Sequence, residues 1–112
     1  CIRDRNNTGT QVFYSPNHPE SQALAAAIQQ SVIHLIQPQN TRKVKKSGTE
    51  IYLLYQAKTP AVMVECGFMS NAQETEKLRT EAYQNELALS IFYGVLSYLN
   101  GIGTADATPA AQ

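Results

Sequence analysis

Glu65 closes the most apolar run of this 112-residue chain, within the stretch Thr59 to Asn71, TPAVMVECGFMSN. Pro60 cannot donate to a sheet ladder, so it suits the first residue of a strand, and Ala61, Val62, Met63 and Val64 then read as a strand buried on both faces. Cys66 and Gly67 end that strand. In an open α/β sheet, functional groups collect where strands end and the chain turns toward the next helix. Desolvation at such an edge would raise the pKa of Glu65 and suit it to general acid/base work. The plainer alternative is a carboxylate that meets solvent or a lysine. A second reactive group is Arg42, in the basic run Thr41 to Lys46 with Lys43, Lys45 and Lys46. A solvated loop is the default for such a run, but the planar fork of arginine can also hold a carboxylate in two hydrogen bonds. The two cysteines, Cys1 and Cys66, are too few for a disulfide framework and lack metal-ligand spacing.

The elements that must position these groups follow from pattern. Residues 1–10 are polar and carry the turn formers Asn6, Asn7 and Gly9, a loop leading into a strand over Val12 to Tyr14. Pro16 to Pro19 break that strand, with Asn17 or His18 near a helix N-cap, Pro19 in the first turn and Glu20 favourable toward the helix dipole. Leu24, Ile28, Val32 and Leu35 then form one apolar stripe on a helix that ends before Pro38. Glu50 to Tyr55, EIYLLY, reads as a second strand. After the strand that ends at Glu65, Ser70 or Asn71 caps a short helix in a capping-box arrangement with Gln73 or Glu74. Tyr83, Leu87, Ile91, Val95 and Leu99, widened by Ala88, Phe92 and Leu96, predict a closing helix packed on the sheet. Residues 101–112, GIGTADATPAAQ, read as a disordered tail.

Formal charge is zero, so the basic field expected of a general nucleic-acid binder is missing. No apolar run is long enough to span a membrane, and no signal-peptide pattern opens the chain. There is no internal repeat or glycine-rich phosphate loop.

The string VECGFMSNAQE resembles the V-E-x-G-F-x-S-N-x-x-E signature near the C-terminus of the zinc-dependent N-acetylmuramoyl-L-alanine amidases, cell-wall hydrolases that cut the bond between muramic acid and its stem peptide. GTQVFYS resembles the family's G-A-Q-x-F-Y strand, PESQALAAAIQ its following helix, and NTRKVKKSGTEIYLLYQAKTPAVMVE the segment that leads to the signature. Tyr83 to Leu99 is similar to the closing helix. The match covers residues 9–100, and its details lean toward sporulation-type amidases that act on spore cortex.

The resemblance implies an α/β three-layer fold with helices on a mostly parallel or mixed sheet. It reads as the C-terminal half only, with about three strands and three helices. On that reading residues 1–100 are the C-terminal portion of a catalytic domain. It implies hydrolysis of the amide between N-acetylmuramic acid and L-alanine, with Glu65 as the catalytic general acid/base and Arg42 meeting a stem-peptide carboxylate. Lys45 would stand nearby. The implied cofactor is zinc, whose three family ligands precede the matched region, so no metal ligand is expected here. His34 lies in SVIHL, near the family's S-I-H-L-N ligand string, but falls late in an amphipathic helix and is read, like His18, as a residue without a metal role. Cys66 fills a small apolar position rather than acting as a nucleophile. The implied partner is peptidoglycan, with no nucleic acid and no membrane span. A missing N-terminal half of the domain, or a partner chain, would cover an exposed sheet. The implied location, by the resemblance, is the cell wall or the periplasm or intermembrane space of a bacterium, with the export signal outside these residues. The rival readings are a non-catalytic peptidoglycan-binding or regulatory module with a degenerate cleft, and a fragment whose sheet edge docks another chain.

Overall fold

A computed structural model describes residues 8–68 and 70–103. Its elements are β1 (Gln11–Tyr14), α1 (Ser21–Ile36), β2 (Lys45–Lys46), α2 (Tyr52–Tyr55), β3 (Val62–Glu65), α3 (Ala72–Leu78) and α4 (Glu81–Gly103). The sheet is mixed and ordered β2-β1-β3, with β1 parallel to β2 and antiparallel to β3. Val12 lies opposite Val64 and Tyr14 opposite Val62, so these four side chains share the face that packs on α1, whereas Gln11, Phe13, Met63 and Glu65 occupy the other face. Alternation along β3 therefore replaces the expected strand buried on both faces: its three apolar residues are all half-buried.

The helix α1 is the centre of the core. Ala25, Ile28 and Val32 are buried on it together with Val12 of β1 and Leu87 of α4, each large side chain contributing roughly 1.5–3 kcal/mol on burial. The helix ends ahead of Pro38 as expected, but it starts at Ser21 with Glu20 in the cap position and no capping side chain. The expected stripe also shifts. Leu35 is half exposed, and Ser21 and Gln29 take buried places. Gln29 does so because β1 lacks a full neighbour on that side. Ser47 N–H, just past β2, reaches Tyr14 O at 2.9 Å, while farther along β1 the Gln29 amide accepts from Val12 N–H at 3.0 Å and donates to Thr10 O at 2.9 Å. A helix side chain thus supplies the hydrogen bonds that a longer strand would have made.

Three expected elements change. EIYLLY is not a strand: Tyr52–Tyr55 form one helical turn in which only Leu54 is buried. Burial of Leu54, with Ser15 Oγ donating to Leu54 O at 2.7 Å, decides the conformation over the β propensity of these residues. The basic run is not wholly a loop, since Lys45 and Lys46 form a two-residue edge strand, where exposed lysines suit an edge. The closing helix α4 packs along α1 and α3 rather than on the sheet. Leu87, Ser90 and Gly94 are buried on it, whereas Phe92, Leu96 and Leu99 are exposed. The helix runs through Gly103, so residues 101–103 are helical rather than part of the expected tail, and residues 104–112 lie outside the described residues, as do residues 1–7 of the expected leading loop. No helix of the described residues is long and apolar enough to cross a membrane.

Candidate active site

Glu65 ends β3 on the sheet face opposite the core and is exposed. This differs from the desolvated edge expected of it. Its cross-strand partner is Gln11, which is almost fully buried. The Gln11 amide faces two ways: its nitrogen donates to Lys43 O, and its oxygen accepts from Arg42 Nη1 at 3.3 Å. Arg42 is half-buried and further fixed by Nε donating to Thr8 O at 2.8 Å, by its own N–H donating to Asn40 Oδ1 at 2.7 Å, and by the Phe68 ring, whose centroid lies 4.3 Å from the guanidinium carbon. Gln11 is therefore both the cross-strand partner of Glu65 and a hydrogen-bond partner of Arg42. Arg42 commits two of its five N–H donors to these side-chain bonds, which leaves it able to hold an added carboxylate. Lys45 lies exposed on β2 opposite Phe13, two residues along β1 from Gln11.

The other reactive side chains stand apart. His34 is exposed late in α1, and His18 is half-buried before that helix with Nδ1 accepting from Glu20 N–H at 3.2 Å. Cys66 packs against the core, and burial pushes its thiol above the ordinary value of 9.0. That is the opposite of the lowered value that activates a nucleophilic cysteine. Among the described residues no three histidine, cysteine, aspartate or glutamate side chains converge as a metal site. These residues do not fit a zinc ion, and no step below passes through one.

Sequence reasoning missed Gln11, Phe68 and Glu74 as parts of the site. Asn71 caps α3 as expected, accepting from Glu74 N–H at 3.1 Å. The Glu74 carboxylate, though, accepts from Phe68 N–H at 2.7 Å and from Gly9 N–H. Gln11 carried a signal that could have been read: a polar residue alternating with Val12 on a strand paired with the one ending in Glu65.

The family profile described as N-acetylmuramoyl-L-alanine amidase matches residues 2–97. The chain belongs to this family. It is 33% identical over 103 residues to the germination-specific N-acetylmuramoyl-L-alanine amidase of Bacillus subtilis, an alignment covering 92% of this chain and 43% of that protein. Among solved structures it is similar to the CwlD amidase of Clostridioides difficile, solved in complex with the GerS lipoprotein, with a TM-score of 0.82 and 35% identity over 86% of this chain and 48% of that one. The N-acetylmuramoyl-L-alanine amidase of Clostridium difficile 630 superposes with a TM-score of 0.73 and 32% identity over 83% of this chain and 49% of that one. The chain spans about half the length of the relatives it matches.

These matches correct the reading of the resemblance as a C-terminal half only. The likeness takes in nearly all of this chain, and the described residues form a mixed three-stranded sheet with four helices and a core on α1. The expectation of a remnant whose exposed sheet another half or a partner chain would cover is corrected likewise, since the described residues hold a sheet packed on α1 with a core of its own. The family is generally zinc-dependent, and related amidases act outside the cytoplasm on cell-wall peptidoglycan.

Proposed function

We propose that this amidase-family chain serves hydrolysis of the amide joining the lactyl group of N-acetylmuramic acid to the L-alanine of the stem peptide, in spore cortex or in wall remodelling outside the bacterial cytoplasm. Glu65 is the general acid/base: its carboxylate takes a proton from the attacking water and returns it to the leaving amine of L-alanine. Arg42 binds a stem-peptide carboxylate through the donors it does not spend on Thr8 and Gln11. The observation that carries this reading is the pairing of Glu65 at the open end of β3 with a buried Gln11 that holds Arg42 beside it. Exposure of Glu65 lets water and substrate reach the carboxylate, and closure of a bound glycan strand over it would supply the desolvation that the free chain lacks.

The test is Glu65→Gln in the protein that carries this chain. The amide keeps the shape of the side chain, so the fold should persist, while release of free L-alanine amino termini from muropeptide should fall by ~10²–10⁴. No new reducing sugar ends should form with either protein. Near-normal turnover would remove Glu65 from the mechanism. Retention on insoluble peptidoglycan, with no alanine amino termini released by the unaltered protein, would instead support a binding module.

A further inference from the structure

Glu74 lies in the first turn of α3 and is half-buried. Its backbone N–H already serves the helix cap, so its carboxylate is free for another task. One oxygen accepts from Phe68 N–H at 2.7 Å, and the other accepts from Gly9 N–H. These amides belong to two strands of chain far apart in sequence, one entering β1 and one leaving β3. Gly67 makes room for the clasp, since a Cβ there would stand 2.7 Å from the Glu74 oxygen. The same two strands hold Arg42. Thr8, next to Gly9, accepts from Arg42 Nε at 2.8 Å, and the ring of Phe68 lies under the guanidinium.

We infer that Glu74 is a positioning residue for Arg42: by clasping the backbone at Gly9 and Phe68, its carboxylate fixes the two surfaces between which the guanidinium is held to meet a substrate carboxylate. The inference rests on the role proposed above for Arg42. A carboxylate suits the task because two N–H donors converge on it, and it accepts from both. Glutamine has one accepting oxygen and would set its NH₂ against the second N–H. Glu74→Gln therefore keeps the helix cap, which uses the backbone, and opens the clasp.

Two readouts test this. In ¹H–¹⁵N spectra of the chain, the Arg42 Nε–H signal should be set apart by its hydrogen bond to Thr8 O, and in Glu74→Gln it should move to the envelope of freely exchanging arginines. An unmoved signal would overturn the inference, with or without substrate. The second readout is kinetic, in the protein that carries this chain, using N-acetylmuramoyl-L-alanyl-D-isoglutamine with its carboxylate free or amidated. Arg42→Ala and Glu74→Gln should each raise KM for the free acid by about tenfold, the scale of a charge-assisted pair, while leaving KM for the amide and kcat within about twofold. If Arg42→Ala does not separate acid from amide, the role given to Arg42 fails. If Arg42→Ala does so and Glu74→Gln does not, the positioning role fails alone. Phe68→Leu guards against a folding artefact, because it keeps the Phe68 backbone amide and the clasp but removes the ring. The double variant Phe68→Leu, Glu74→Gln should be no worse than the poorer single one, and fully multiplicative losses would show that Glu74 does not act through Phe68.

Discussion

Alanine at Gly94 and alanine at Gly101 are the same substitution on the same helix, and the structure predicts opposite signs for them. In a helix interior, replacing glycine by alanine stabilises by ~1 kcal/mol through backbone entropy. At Gly101 nothing lies within 4 Å of the added Cβ, so that gain should appear, reduced to about half by its place near the helix end. At Gly94 the Cβ would stand 2.6 Å from Ile28 Cα, 3.0 Å from Ala27 O and 3.1 Å from Ile28 N. All three are backbone atoms of α1, so no side chain can turn aside, and ordinary carbon contact at ~3.5–4.0 Å requires the helices to part by roughly 1 Å. Such overpacking typically costs ~1–3 kcal/mol, and the entropy gain offsets part of it. Gly94→Ala should therefore destabilise by about 1–2 kcal/mol net. Urea unfolding followed by far-ultraviolet circular dichroism would show the midpoint falling for Gly94→Ala and holding or rising for Gly101→Ala, at unchanged slope. In thermal melts the two should differ by roughly 6–12 °C. A Gly94→Ala protein as stable as the unaltered one would mean that α1 and α4 do not cross this closely.

Other consequences can be checked as directly. Gln29→Leu leaves Val12 N–H buried without its acceptor, while Thr10 O keeps a second donor in Asn40 Nδ2, so the loss should be about 1–3 kcal/mol in urea unfolding, against little change for the exposed Gln30→Leu. Tyr98 Oη donates to Glu20 Oε1 at 2.6 Å, and this bond, with lesser help from desolvation and the Glu20 charge, pushes the phenol up to about 12. A raised value for an acid means that its contribution to stability is whole below the ordinary 10.0 and is lost as pH rises through about 12. Absorbance at the phenolate band should show the late-titrating Tyr98, absent in Tyr98→Phe and moved back toward the ordinary range by Glu20→Ala, which removes the acceptor. The Cys66 thiol, raised from 9.0 by burial, should alkylate in a Cys1→Ser background with a pH midpoint above that value, and unfolding in urea should restore the ordinary one. By the same sign its contribution to stability is whole below 9.0 and is lost as pH rises past it.

Periodicity made α1 legible because Ile28 and Val32 repeat at helical spacing and Pro38 sets an end. The strand ending at Glu65 was legible from Pro60 and the apolar run, although its edge place, and hence its half-exposed state, was not. What pattern could not show was use of polar residues inside. Gln29 and Gln37 lie outside the apolar stripe of α1, yet Gln29 completes the bonding of β1, and Gln37 binds Thr10 N–H at 2.9 Å and Tyr83 Oη at 2.7 Å. Ser90 and Gly94 stand outside the apolar stripe, but there α4 approaches α1 closely, with Ser31 Oγ donating to Ser90 O at 2.6 Å. EIYLLY failed as a strand for a reason outside its own residues, since Ser15 Oγ at the end of β1 holds Leu54 O and Leu54 is buried in a helical turn. In the site, Glu65 and Arg42 were read from residue type and resemblance. Their companions Gln11 and Phe68 emerge only once β1, β3 and the loop after them are folded together.

The Gln29 amide on β1 also bears on how this chain avoids its own kind. A short outer strand leaves a ladder half finished, and an unfinished ladder is a template on which an unfolded neighbour can start to pair. Here the open stretch beyond Lys45 is capped from within by a side chain anchored on the most buried helix. A foreign strand would have to displace that amide before gaining its first two bonds, so the gap resists aggregation. Material carrying Gln29→Leu would then betray itself in light scattering at concentrations where it is still folded, sooner than its loss of stability alone would explain.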